Sequence, residues 1–133
     1  MNMTLKMWCV LAILILPLQA QAAEWDWSGI EIVREVASTG LTIADWGQTN
    51  DIRNHNGMIE LNPILGRSPS RGAVNTYFGT VLVLHPIITA LLPRTASVFG
   101  MGIQPRAAWQ YFYLGVEWTA ISSNYKGGLR MSF

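Results

Sequence analysis

Residues 72–93 (GAVNTYFGTVLVLHPIITALLP) contain no Asp, Glu, Lys or Arg, and Arg71 and Arg94 bracket them. An apolar helix needs roughly 20 residues to cross the hydrocarbon core of a bilayer, so this run has the length and composition of a span. Composition points the same way. Half of the 133 residues are hydrophobic and 13% are charged, against about 25% charged in soluble domains. The formal charge of +1 provides no basic patch of the kind that holds nucleic acid, so no nucleic-acid partner is expected.

The first residues read as a separate object. Met1 to Lys6 is a short, weakly basic stretch, Met7 to Leu18 is apolar, and Ala20-Gln21-Ala22 has the A-x-A form of a cleavage site. That is the pattern of a secretory signal peptide over 1–22. Cleavage leaves a single domain, 23–133. The one cysteine, Cys9, lies in the apolar stretch before the cleavage site. The mature chain then has no disulfide, thiolate metal site or cysteine nucleophile. Without cleavage, the same stretch serves as a signal anchor.

The expected fold is all-α: a small bundle of three transmembrane or membrane-associated helices over about 28–54, 72–93 and 105–122. The first segment has helical apolar spacing but is interrupted by Glu31, Arg34, Glu35 and Asp45. Gly57, Pro63, Gly66 and Pro69 punctuate the first linker, and Gly100, Gly102 and Pro105 the second. A chain that starts outside places Arg53, Arg67, Arg71, Lys126 and Arg130 on the cytoplasmic side, leaving Arg94 and Arg106 in the outer linker. This bias agrees with the positive-inside rule. Trp25, Trp27, Trp109, Tyr111 and Tyr113 fall near the outer ends, where aromatic belts sit; ordinary aromatic packing is the alternative.

A carboxylate at membrane depth must face the bundle interior or water. Ser38, Thr42, Asp45 and Thr49 share one helical face, as do Gln110, Tyr113, Glu117 and Asn124. Asn75, Phe78, Leu82, His85 and Thr89 lie along one side of the middle segment. At about 1.5 Å of rise per residue, Asp45 lies roughly 9 Å, Glu117 roughly 8 Å and His85 roughly 20 Å from the inner surface. Asp45, Thr49, Asn75 and Glu117 are therefore the expected intramembrane polar cluster. They suit a proton, a cation or a polar ligand, or else plain interhelical hydrogen bonding. His85, beside the helix-kinking Pro86, is a possible ligand at a different depth, so a joint Asp–His–Glu metal centre is not expected. His55 with Glu60 makes no closed metal site.

The linker holds Glu60-Leu61-Asn62-Pro63, with Asn62 and Pro63 suited to a helix cap and first position, and Glu60 free to return to Arg53, Arg67 or Arg71. Asp45-x-x-x-Thr49, then Glu60-x-Asn62-Pro63, then a long apolar helix resembles a group of small bacterial and phage membrane proteins known as a domain of unknown function. The resemblance covers roughly Leu41 to Leu92. It implies that the first motif ends one membrane helix and the second enters the next. It marks Asp45, Thr49, Glu60, Asn62 and Pro63 and brings no activity with it. The signal peptide and the charged first segment depart from that pattern.

No nucleophile elbow, phosphate loop, zinc-protease motif or dinucleotide fingerprint occurs. The sequence thus reads as a small inner-membrane protein, not an enzyme, with no cofactor or metal. Its expected role is structural or interactive in the envelope, its partners membrane lipid and other envelope proteins or further copies of itself. Two alternatives stand beside it. One is an outer-membrane or periplasmic β-protein, because Tyr125, Gly127, Leu129, Met131 and Phe133 alternate with more polar neighbours up to a terminal aromatic. The other is a membrane enzyme or transporter component using Asp45 and Glu117.

Overall fold

The computed structural model describes residues 26–98 and 100–133. The signal peptide expected over 1–22 and the belt position of Trp25 lie outside these residues. Three long helices make the fold: α1 (Gly29–Asp51), α2 (Arg71–Leu91) and α3 (Pro105–Lys126). A 3-10 turn at Ile52–Asn54 follows α1, and a small antiparallel hairpin, β1 (Ala96–Val98) with β2 (Met101–Ile103), joins α2 to α3.

The helix ends have local causes. Ser28 and Glu31 form a reciprocal capping box: the Glu31 amide donates to Ser28 Oγ (3.4 Å) and the Ser28 amide to Glu31 Oε2 (2.7 Å). Ser70 Oγ caps α2 by accepting from the Ala73 amide at 3.1 Å. Pro105 opens α3 at a position that needs no amide donor. Pro86 sits inside α2 without ending it.

α1 is central. It packs along α3, runs antiparallel to α2, and keeps α2 and α3 largely apart. Pairs at successive levels fix the order: Glu31 with Arg94 and Arg106 at one end, Glu35 with His85 and Gln110 next, then Thr42 with Tyr113, Asp45 with Asn124, and Trp46 with Asn75. Inside and outside are reversed relative to a water-soluble bundle. The buried hydrophobic residues are Ile52, Val74, Phe78, Ala90 and Leu129, whereas Glu31, Ser38, Thr42, Gln48, Thr49, Asn50, Asp51, His85, Thr89, Arg106, Gln110 and Glu117 are all buried. Ile32, Val33, Val36, Val83, Leu84, Phe112 and Val116 are exposed.

Two expectations are corrected. The alternating tail is no membrane strand. Tyr125 and Lys126 finish α3, Gly128 turns the chain at φ 93°, and the last residues lie along the end of α1 without strand pairing. There the Ser132 amide donates to the Gly47 carbonyl (3.0 Å), Leu129 is buried, and Phe133 meets the Trp46 ring edge-on. Helix packing offers this tail an apolar seat, and among the described residues it pairs with no strand. Ala96–Val98 and Met101–Ile103, expected as plain linker, pair as a hairpin instead, with Gly100 at φ 79°.

Candidate functional site: the polar interior

The interior is a column of polar side chains running between the three helices. At the end that bears the β1–β2 hairpin Glu31 receives Arg94 (Nη2 to Oε2, 2.9 Å) and Arg106 (Nη1 to Oε1, 3.4 Å). Arg94 also donates to the Asp26 carbonyl. Arg106 has no solvent exposure and further donates to the carbonyls of Leu92 (2.9 Å) and Ala90 (3.2 Å), tying α3 to the end of α2. Gln110, equally buried, donates to the Glu31 carbonyl and to Glu35 Oε2, and accepts from Arg34.

One level inward, His85 Nδ1 lies 2.6 Å from Glu35 Oε1. The imidazole is walled by Trp109 and Tyr113, with ring centroids at 5.4 and 4.0 Å. The Tyr113 hydroxyl pairs with Thr42 Oγ1 at 2.8 Å, and Thr42 in turn donates to the Ser38 carbonyl. Glu117, one turn along α3, lies beside the Tyr113 hydroxyl and within electrostatic reach of His85. His85 Nε2, Glu117 Oε2 and Ser38 Oγ are buried and have no hydrogen-bond partner among the described residues.

Toward the opposite end of the bundle, Asn124 Nδ2 donates to Asp45 Oδ1 (2.9 Å), and Asp45 is half-buried within electrostatic reach of Glu117 and Glu60. Thr49 is buried at the junction with the linker. Asn75 is exposed and does not join Asp45 and Glu117; its Oδ1 accepts from Trp46 Nε1 (2.8 Å) and Asn50 Nδ2 (3.3 Å), a level further inward. At the helix end Asp51 gathers the Arg130 amide (2.9 Å), Asn54 (2.7 Å) and His55 (3.0 Å). These donors, the Arg130 amide foremost, hold its carboxyl below the usual carboxylate range.

The linker motif folds on itself. Glu60 Oε1 accepts the Asn62 amide (2.7 Å), Asn62 Oδ1 accepts the Ile64 amide (3.0 Å), and the Glu60 amide donates to the Arg67 carbonyl (3.1 Å). Pro63 therefore enters a turn closed by Gly66 (φ 73°) rather than a helix, and the Glu60 carboxyl serves that turn instead of an arginine. Asn62 lies beside the Tyr77 hydroxyl. The two sequence motifs thus approach each other at the linker end of the bundle, with Glu60 within electrostatic reach of Asp45. His55 pairs with Asp51, not Glu60.

Glu31, Glu35, Arg94 and Arg106 were not among the expected site residues, and the first two read in sequence as interruptions of a helix. The signal was nonetheless present. Glu31, Glu35, Ser38, Thr42, Asp45 and Thr49 follow at alternating four- and three-residue steps, and Arg106, Gln110, Tyr113 and Glu117 repeat that spacing. This is the seam periodicity of packed helices, written in polar residues. Trp109 and Tyr113, expected in an outer belt, face His85 instead, whereas Tyr111 is exposed beneath the Arg34 guanidinium. Comparison with family models, with curated proteins and with solved structures returns no match to this chain.

Proposed function

We propose that the chain is a small integral protein of the inner membrane that crosses it three times and has a structural or interaction role in the cell envelope. The supporting observation is the reversed distribution of side chains. Among the described residues, α2 alone is long and apolar enough to be a span by composition. α1 and α3 carry charges, but theirs turn mainly toward the seams, and their outward faces carry Ile32, Val33, Val36, Phe112 and Val116. Water favours the opposite arrangement, whereas lipid favours apolar side chains outward and polar ones paired inside. At 23, 21 and 22 residues, the helices are each roughly 30–35 Å long, matching a hydrocarbon core of about 30 Å.

Charge supports the orientation. Arg53, Arg67, Arg71, Lys126 and Arg130 are exposed at one end. At the other end Arg94 and Arg106 are engaged by Glu31. The crossing stretches are about 30–48, 74–91 and 106–121, so Asp51 lies beyond them at the inner end. The resemblance of the Asp45–Pro63 motifs to small bacterial and phage membrane proteins supports the same location. Membrane lipid is the partner of the apolar exterior, and further envelope proteins or copies of the chain meet its exposed ends.

Cys9 is the only cysteine, so a Cys9→Ser background permits single-site labelling. A cysteine at Arg67 should react with a membrane-impermeant maleimide only after the inner membrane is opened, and one at Met101 should react from outside. Recovery of the protein in the soluble fraction, or equal labelling of both sites from outside, would refute the three-span topology.

A further inference from the structure

The unpartnered buried atoms of the column include His85 Nε2 on α2, Glu117 Oε2 on α3 and Ser38 Oγ on α1, with Trp109 Nε1 beside the imidazole. His85, Glu117 and Ser38 are 5%, 7% and 1% exposed. The chain of contacts that brings them together runs from Ser38 through Thr42 to the Tyr113 hydroxyl, with the Tyr113 ring against His85 and Glu117 beside that hydroxyl. Buried polar atoms are rarely left without partners, and a buried water typically answers two to four of them. Each helix supplies at least one such atom here.

We propose that His85, Glu117 and Ser38 form a proton-binding site in which one proton, relayed by a bound water, is shared between the imidazole and the Glu117 carboxyl. The site rests on the three-span reading, because an apolar surround is what makes an uncompensated charge costly. Glu35 accounts for the other ring nitrogen at 2.6 Å. With His85 neutral and both carboxylates ionised, two negative charges would face each other across one ring. One added proton relieves this in either of two ways: it sits on Glu117, or it sits on Nε2 and makes an imidazolium between two carboxylates. In the exchange one O–H bond of Glu117 breaks, the water passes a proton on, and one N–H bond forms at Nε2. The net charge does not change in the exchange.

The charged and titratable groups facing this level are Arg34, Glu35 and Asp45 from α1, Tyr77 and His85 from α2, and Arg106, Tyr113 and Glu117 from α3. The outer side is closed by Arg106 and Gln110, both without exposure. The inner side leads to half-buried Asp45 and Asn124. Exchange therefore runs toward the inner end, through Asp45.

The test uses the full chain in lipid nanodiscs. His55→Gln leaves His85 as the one imidazole, since the chain has two histidines. Its ring nitrogens are followed by NMR while infrared difference spectra follow the protonated carboxyl. The imidazole and carboxyl signals should change over one shared pH interval. Glu117→Gln should move the imidazole titration by about one pH unit or more, as loss of an adjacent charge does. Ser38→Ala, which keeps both titrating groups, should weaken their coupling. Independent titration in the native chain, or an imidazole titration unmoved by Glu117→Gln, would overturn the site. So would a strong dependence on sodium at fixed pH, which would mark a cation site. Because thiol labelling tests topology separately, correct labelling with uncoupled titration rejects the proton site alone.

Discussion

Arg106 has no solvent exposure, and its guanidinium is held by one carboxylate, Glu31, and by backbone carbonyls at the end of α2. Removing one partner of a buried ion pair leaves the other charge uncompensated and costs about 3–5 kcal/mol. Glu31→Gln also weakens the α1 cap, since the same carboxylate accepts the Ser28 amide. The variant should lose thermal stability by that order, measured as a shift of the unfolding midpoint in one fixed lipid or detergent. Glu31→Asp should lose less. Gly47 is a second sensitive point. A Cβ there would stand 3.0 Å from Phe133 Cζ, 3.1 Å from Met131 Cβ and 3.2 Å from Met131 Cα. The ring tip can give way, but the backbone at Met131 cannot without lifting the tail. Gly47→Ala should cost about 1–3 kcal/mol by overpacking and should speed carboxypeptidase trimming of the last residues. Unchanged trimming would show that the tail is not seated there. Asp45 and Glu117 were legible in the sequence as carboxylates on the inward faces of their helices, where the structure has Asp45 half-buried and Glu117 buried. Glu31 and Arg106 were not, because each looks like a helix-end charge until its partner on another helix is known. The seam spacing of each helix is visible in the sequence, but a partner 75 residues away is not.

The helices themselves were nearly all legible. Ser28, Ser70 and Pro105 act at their starts through short-range chemistry, and the observed boundaries lie within a few residues of those read from pattern. What escaped was structure decided by tertiary contact. The Glu60–Gly66 segment carries helix-start residues yet closes as a turn, because Glu60 and Asn62 satisfy amides within it. The tail carries strand-like alternation yet lies against α1, held by Asp51 and Gly47. Asp51 gives that latch a pH dependence. Its carboxyl titrates lower in the folded chain than in the unfolded one, so the stabilisation is fully present above the unfolded value of about 4 and is lost as pH falls through the folded value. Tail protection from carboxypeptidase-independent probes, such as amide exchange at Arg130, should therefore hold at neutral pH and fall on acidification below about pH 4. Asp51→Asn should show weakened protection already at neutral pH, with little further change on acidification.

At the scale of the molecule, the governing fact is that the buried set is mainly polar and the outward faces of the helices are mainly apolar. Composition alone marks α2 as long and apolar enough to be a span. It does not mark α1 and α3, whose charges cancel their apolar faces in any average. Their role depends on which face turns outward. Spin labels on single cysteines in the Cys9→Ser background measure this most directly. Labels at Val36, Ile43, Leu84, Ile88, Phe112 and Val116, in bilayers, should collide freely with oxygen and hardly at all with a water-soluble nickel complex. A label at Arg67 should show the reverse. Strong nickel accessibility at Val36, Ile43, Phe112 and Val116 would place α1 and α3 in water and contradict the three-span bundle.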